Sequence, residues 1–162
     1  MICVRNTLHS VVISTAALCK QGAADDIAPL EYPAAADPFL TIALVDAARE
    51  LNIDWHLEIS ASVDTFYEAQ ERRDSSANRH LLRRLVGITE EYRRLNVLNF
   101  EMETGTLFKM GRVYGFAAGC VCSVLAERTS DEEGVQSMKK ISEDSAIQVA
   151  LRVVEIYNPD RG

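Results

Sequence analysis

Pro38-Phe-Leu-Thr-Ile-Ala-Leu-Val-Asp-Ala-Ala-Arg-Glu-Leu51 places Leu40, Ala43, Leu44, Ala47, Ala48 and Leu51 at the three- and four-residue spacings of one helical face. Asp37 stands where an N-cap belongs, and Pro38 takes the first helical position, where its missing N–H costs nothing. Segments of a different period flank this helix. Residues 11–17 form an apolar, β-rich run that reads as a strand, and the small and polar residues 19–26 read as the loop that follows it. Pro29, Pro33 and Pro38 then forbid regular helix or central strand before residue 39. On the other side, residues 55–62 alternate as a second strand. The polar string 62–74 after it is too polar for a core and reads as a loop at the strand's carboxyl end.

The same alternation continues to the end of the chain. Residues 79–95 predict two short helical pieces divided near Gly87, 97–100 a short strand, and 101–114 a helix that opens on Glu101-Met-Glu103. An apolar strand is predicted over 118–126, closed by a charged loop at 127–133. A last amphipathic helix is marked by Ile147, Ala150, Leu151 and Val154, with Gln148, Arg152 and Glu155 toward water. Strands alternating with helices give an α/β fold: a three-layer α/β/α sandwich around a central mixed sheet covered on both faces. One domain is expected over residues 11–157, with 1–10 and 158–162 as flanking segments.

Composition narrows the function classes without naming a reaction. Of 162 residues, 48% are hydrophobic, and 17 Lys and Arg stand against 24 Asp and Glu for a net charge of −7. An acidic chain is a poor nucleic-acid binder, because phosphate backbones demand clustered cations. No apolar run approaches the roughly 18–20 residues of a membrane span, so neither nucleic acid nor a membrane is an expected partner. Cys3, Cys19, Cys120 and Cys122 include no CxxC pair, which fits reduced thiols and a cytoplasmic setting. Cys120 and Cys122 face the same way on a strand, but core packing is the simpler reading than metal, and no metal is expected. His9, His56 and His80 lack ligand or dyad spacing. Gly111, Gly115 and Gly119 suggest tight packing, since no GxGxxG or Walker string occurs. Arg79, Arg83, Arg84, Arg93 and Arg94 are interspersed with Leu and Glu, as on a solvated or intersubunit helix face.

Ligands of open α/β sheets bind beyond the carboxyl ends of the strands, and two strings occupy that place. Thr65-Phe-Tyr-Glu-Ala-Gln-Glu-Arg72 offers an aromatic ring in Phe66, an amide that donates and accepts in Gln70, and a fork of donors in Arg72. Such a set suits a flat heterocycle bearing carbonyls and an N–H. Phe100-Glu-Met-Glu-Thr-Gly105 places Glu101 and Glu103 at a helix start, where the dipole favours carboxylates that could accept from hydroxyls. Loops of this composition are commonly just solvated, and carboxylates at a helix start are commonly caps.

Four strings carry a resemblance: Ala28-Pro-Leu-Glu-Tyr-Pro-Ala34, Asp64-Thr-Phe-Tyr-Glu-Ala-Gln-Glu-Arg-Arg-Asp74, Val97-Leu-Asn-Phe-Glu-Met-Glu103 and Glu127-Arg-Thr129. Their order and spacing resemble the uridine phosphorylases of the nucleoside phosphorylase superfamily, over nearly the whole chain from residue 11 to 157. The resemblance implies a pentosyltransferase that cleaves uridine with phosphate to uracil and ribose 1-phosphate, with phosphate as co-substrate and no other cofactor. It implies that Phe66 lies against the base and that Gln70 and Arg72 bond the uracil edge. Met102 would pack on the sugar, and Glu103, beside Glu101, would hold the ribose hydroxyls. Leu125 and Ala126 would wall the base pocket. Purine-cleaving relatives have an Asp at the place of Ala126, so a pyrimidine is expected. Arg72 and Glu103 would be the catalytic pair, and a homo-oligomer, dimer or larger, is implied.

The chain departs from the family in three places. Nothing in residues 1–10 resembles the family's glycine-rich phosphate loop and its arginine clamp, so an incomplete N-terminal side and a weak phosphate site are expected, since phosphate needs several convergent donors. Glu68-Ala69 stands where the family has Pro-Gly, and Glu127 replaces a more common neutral residue beside Arg128. The alternative expectation is a catalytically silent homologue that binds nucleoside or pairs with a full-length subunit.

Overall fold

The computed structural model describes residues 2–3, 10–74, 76–124, 126–127 and 135–158. Its elements in order are β1 (Ile2–Cys3), β2 (Val11–Lys20), α1 (Gly22–Asp25), α2 (Pro38–Glu50), β3 (Trp55–Val63), a 3-10 turn (Arg83–Leu85), α3 (Ile88–Arg94), β4 (Val97–Glu101), α4 (Thr104–Tyr114), β5 (Val121–Ser123), β6 (Ala126–Glu127) and α5 (Val135–Ile156). Four strands form a mixed sheet in the order β4-β3-β2-β5, in which β5 alone runs antiparallel. β1 and β6 pair parallel in a separate two-stranded ladder.

Helices cover both faces of the four-stranded sheet. Val11 and Ile13 of β2 bury themselves among Leu44, Ala47 and Ala48 of α2 and Val149 and Val153 of α5. Val12, on the opposite face, packs with Leu98 and Val124. Toward the carboxyl end of β2, Leu18 joins Ala61, Val63, Phe100 and the α3 residues Ile88 and Tyr92, whereas Ala17 and Cys19 pack with Phe108 of α4. The α/β/α sandwich with a central mixed sheet is therefore the fold.

The caps follow the sequence. Asp37 accepts the Leu40 N–H at 2.9 Å, with Pro38 at the start of α2. Gly87, with φ of 83°, parts the 3-10 turn from α3, and Gly115 closes α4 at φ of 76°. Gly111 and Gly119 are pressed against Ala118 and Leu40, as tight packing requires, but Gly115 is not: a Cβ there would meet nothing within 4 Å, and its glycine serves the left-handed turn that ends α4. Arg93 and Arg94 both grip Glu90, at 2.6 Å and 2.8 Å, and their hydrogen bonds hold its carboxyl down to about 2. The two arginines lie exposed on the chain's surface, as the reading of a solvated or intersubunit helix face requires.

Three elements differ from the sequence reading. β2 does not stop at Ala17; it runs through Cys19 and Lys20, because β3 continues beside it and pairs with both, and a short helix, α1, follows. Lys20 is tolerated there because its ammonium lies 5.2 Å from the Tyr92 ring centroid. The apolar run 118–126 is not one strand. It leaves the sheet after Ser123, and Ala126–Glu127 pairs with β1 instead. Of the charged loop beyond it, only Glu127 lies within the described residues.

The third difference is the face of α5. Ile147, Ala150, Leu151 and Val154 are exposed, Leu151 by 61% and Val154 by 81%, while Val149 is fully buried and Val153 nearly so. Two apolar stripes run along this helix at helical spacing, and periodicity alone does not choose between them. The choice is made by packing, since Val149 and Val153 bury themselves against Leu44, Ala47 and Ala48 of α2, and Glu50 of α2 accepts from Arg152 Nε at 2.8 Å beside that contact. Gln148 and Glu155 face water as expected, and Arg152 is half-buried. Val149→Ala is expected to lower unfolding free energy by about 2 kcal/mol, and Leu151→Ala to change it by less than about 0.5 kcal/mol. Urea denaturation of the two variants checks this, and the reverse order would mean that α5 buries its other stripe.

Candidate functional site

β2, β3 and β4 run parallel and end at one edge of the sheet. The segments that leave them there are α1, the loop 64–74 and the tight connection Met102–Glu103. The two strings singled out in the sequence are thus neighbours in space, and Ser62 at the end of β3 pairs in register with Glu101 at the end of β4.

The 64–74 loop is closed by its own backbone. Thr65 Oγ1 accepts from the Ala69 N–H at 3.0 Å, and the Arg72 N–H donates to the Tyr67 carbonyl at 2.7 Å. The Glu71 N–H donates to the Glu68 carbonyl at 3.1 Å, so Glu68-Ala69 still supports a turn without Pro-Gly. Glu71 adopts φ of 54°, and its carboxylate accepts from the N–H groups of Gly87 and Thr89 at 2.6 Å and 3.1 Å. These bonds pin the loop to the start of α3. At the other end, Asp64 accepts from the Gly22 N–H at 2.9 Å and ties the loop to α1.

Phe66, Gln70 and Arg72 come together on this loop. The Arg72 guanidinium carbon lies 4.3 Å from the Phe66 ring centroid, while its Nε donates to Gln70 Oε1 at 3.2 Å. Tyr67 meets Phe66 edge-on, with centroids 5.2 Å apart. Ser62, Val63 and Gln70 are buried, Gln70 to 2% exposure, so the 62–74 string reaches the core at its start and again at Gln70, contrary to its reading as wholly outside it. Phe66, at 43% exposure, still presents ring surface to solvent. A cation stacked on a ring beside a buried amide can take a flat, polar-edged heterocycle.

The Met102–Glu103 connection is held from beneath. Glu101, nearly buried, accepts from the Ser62 hydroxyl through one oxygen and from the N–H groups of Glu103 and Thr104, at 2.8 Å and 2.6 Å, through the other. The Gly105 N–H donates to Ser62 Oγ at 2.7 Å. Glu101 is therefore the cap of α4, turned inward, and Glu103 projects as the exposed carboxylate at the helix start. Gly105 allows this approach: a Cβ there would stand 2.7 Å from Cys19 Sγ and 2.9 Å from Ser62 Cβ. Gln21 bonds the Met102 carbonyl through Nε2, and its Oε1 accepts from the backbone and hydroxyl of Thr106 at 2.8 Å and 3.0 Å.

Gln21, Ser62 and Glu71 support the site and went unremarked in the sequence. Ser62 and Gln21 were legible only as polar residues at strand ends, and their partners lie 39 to 85 residues away. Ala126 is placed by its backbone in β6, in the ladder with β1, which lies alongside β4. Leu125 falls outside the described residues. Among the described residues no group of three His, Cys, Asp or Glu could hold a metal ion, and no helix is long and apolar enough to cross a membrane. A cavity of about 230 Å³, lined by Asp37, Phe108, Arg112 and Phe116 among others, lies at the opposite end of α4 from Glu103.

The stacked Arg72–Phe66 pair and the exposed Glu103 carboxylate leave neighbouring strands at the carboxyl edge of the sheet, where α/β proteins bind their ligands. The chain belongs to the phosphorylase superfamily, whose sequence profile matches residues 7–157. It is similar to the uridine phosphorylase of Salmonella typhimurium, 38% identical over 141 residues, which cover 87% of this chain and 55% of that protein. The uridine phosphorylase of Thermococcus kodakarensis is 37% identical over 149 residues, 92% of this chain and 51% of the relative. A guanosine phosphorylase of Halorubrum lacusprofundi is 25% identical over 151 residues. The chain spans about half the length of these curated relatives.

Glu101→Gln keeps the volume of the cap but sets an N–H donor among donors. It is expected to lower stability by about 2 kcal/mol, the cost of breaking a buried, charge-assisted hydrogen-bond set. Chemical denaturation checks this, and a variant as stable as the parent would remove Glu101 from the role of cap.

Proposed function

We propose that this chain carries the base- and ribose-binding part of a pyrimidine nucleoside phosphorylase, acting on uridine with phosphate as co-substrate and no other cofactor. The observation that carries the reading is the Phe66–Arg72–Gln70 cluster, with the Arg72 guanidinium stacked on the ring and bonded to the amide. Uracil has two carbonyls and an N–H on one flat ring. The Gln70 amide can donate to a carbonyl, and a guanidinium presents several donors in a plane. Phe66 would lie against the base, and Leu125 and the methyl group of Ala126 would wall its far side.

Breaking the glycosidic bond makes the sugar oxocarbenium-like and gives the departing pyrimidine negative charge. A cation fixed at the base edge stabilises that charge more in the transition state than in the bound nucleoside, which is the condition for raising the rate. Glu103 would hold the ribose hydroxyls, with Met102 against the sugar, and its negative charge would face the developing positive one. Glu101 contributes to binding through Glu103, whose N–H it holds. In this reading the protein works in nucleoside catabolism or salvage in the cytoplasm, as a homo-oligomer.

Arg72→Ala tests the assignment. Loss of a charged hydrogen bond in a partly buried site is expected to cost about 2 kcal/mol, a fall of roughly 30-fold in affinity for uracil or uridine by calorimetry. Unchanged affinity would sink the base site. Release of uracil from uridine, dependent on phosphate, then separates an enzyme from the alternative of a homologue that binds nucleoside without turning it over.

A further inference from the structure

Cys120 and Cys122 take no part in the roles described above. They flank Val121 at the start of β5 and present their side chains to one side of the strand. Their sulfurs stand 3.4 Å apart, and both residues are half-buried. A disulfide needs sulfurs at about 2.05 Å and Cα atoms usually about 4.4–6.8 Å apart. Residues two apart on a strand are separated by about 6.6 Å, at the upper end of that range, so rotation about the side-chain bonds and a closure of roughly 1.4 Å separate the thiols from the bond. β5 is an edge strand of three residues, so adjusting it disturbs one neighbouring strand and not two.

We propose that Cys120 and Cys122 are a reversible redox pair, closed to an intrachain disulfide by hydrogen peroxide and reopened by a low-molecular-weight thiol. Cys120 is the attacking sulfur. The Cys122 sulfur at 3.4 Å and the Thr104 hydroxyl, which donates at 3.1 Å, hydrogen-bond with it and lower the pKa of its thiol, whereas the same sulfur contact and burial push that of Cys122 up. The thiolate attacks one peroxide oxygen, the O–O bond breaks, and the departing hydroxide takes a proton to become water, leaving Cys120 as a sulfenic acid. The Cys122 sulfur then attacks Cys120, the S–O bond breaks and a second water leaves. Two thiols and one peroxide thus become one disulfide and two waters, with two electrons passing from sulfur to oxygen. Two exchanges with glutathione reverse the change, and closure at the upper end of the range makes the bond readily reducible. Cys19 does not compete, because burial pushes its thiol up. The pair is tied to the site because Thr104 is the first residue of α4, directly after Glu103. The proposal does not rest on the nucleoside reading.

The test treats the full chain with stoichiometric hydrogen peroxide, alkylates it under denaturing conditions and maps it by mass spectrometry. The tryptic peptide of residues 113–128 is expected to be lighter by two hydrogens and to carry no alkyl group. Glutathione should restore two alkylation sites in it, and Cys19→Ser should behave as the parent does. Cys122→Ser should stop at a Cys120 sulfenic acid that dimedone traps. Full alkylation of residues 120 and 122 after peroxide would overturn the proposal, as would a product joining either residue to Cys3, to Cys19 or to a second chain.

Discussion

The first turn of α4 rests on a carboxylate supplied by the last residue of β4, and the site depends on that contact. The helix begins only three residues after the strand ends, so there is no loop in which to place a separate cap. Glu101 meets the constraint by turning back. It takes the N–H groups of Glu103 and Thr104 on one oxygen and the Ser62 hydroxyl on the other. A negative charge at a helix N-terminus is favourable, and in a nearly buried position it also satisfies donors that would otherwise lack partners. Ser62 in turn receives the Gly105 N–H. One carboxylate and one hydroxyl therefore join β3, β4 and α4, and leave Glu103 the only direction open to it, outward.

The same economy of polar groups crosses the sheet below. Ser14 of β2, Ser60 of β3 and Asn99 of β4 form a buried line, with oxygens 2.6 Å apart at the first contact and a 2.7 Å bond at the second. Hydroxyls serve here because each can both donate and accept. Irregularities in pairing occur beside this line, between Ser14 and Ala16 and between Ile59 and Ser60. A local shift of register changes which face later residues occupy. It lets the lower half of β2 serve α2 and α5 with Val11 and Ile13, and the upper half serve α3 with Leu18 and α4 with Ala17 and Cys19.

Most of the element order was legible because it depends on local signals: the Asp37-Pro38 start of α2, the Gly87 divide, and the Glu101-Met-Glu103 opening of α4. What was not legible depends on partners distant in sequence. Lys20 belongs to a strand only because Val63 lies beside it. Leu151 is exposed only because Val149 and Val153 make the better match to α2. Within the candidate site, Phe66, Gln70 and Arg72 could be singled out by side-chain chemistry, whereas Gln21 and Ser62 look like any polar residue at a strand end. Their importance comes from Met102, Thr106 and Glu101, which the fold alone brings to them.

The loop 64–74 closes on itself without the Pro-Gly expected at residues 68–69. A proline in the turn would fix one φ and a glycine would allow a left-handed residue; Glu68-Ala69 supplies neither. Here the stiffness is supplied from outside the turn, by Thr65 beneath Ala69 and by the Glu71 carboxylate anchored on the N–H groups that begin α3. Arg72 follows Glu71 directly, so the anchor fixes the backbone from which the guanidinium reaches Phe66. The Arg72–Phe66 stack is thereby held by the protein's own contacts. On the function proposed above, a cation held in this way would need little reorganisation when charge arrives, and that preorganisation would favour a charged transition state over a neutral ground state.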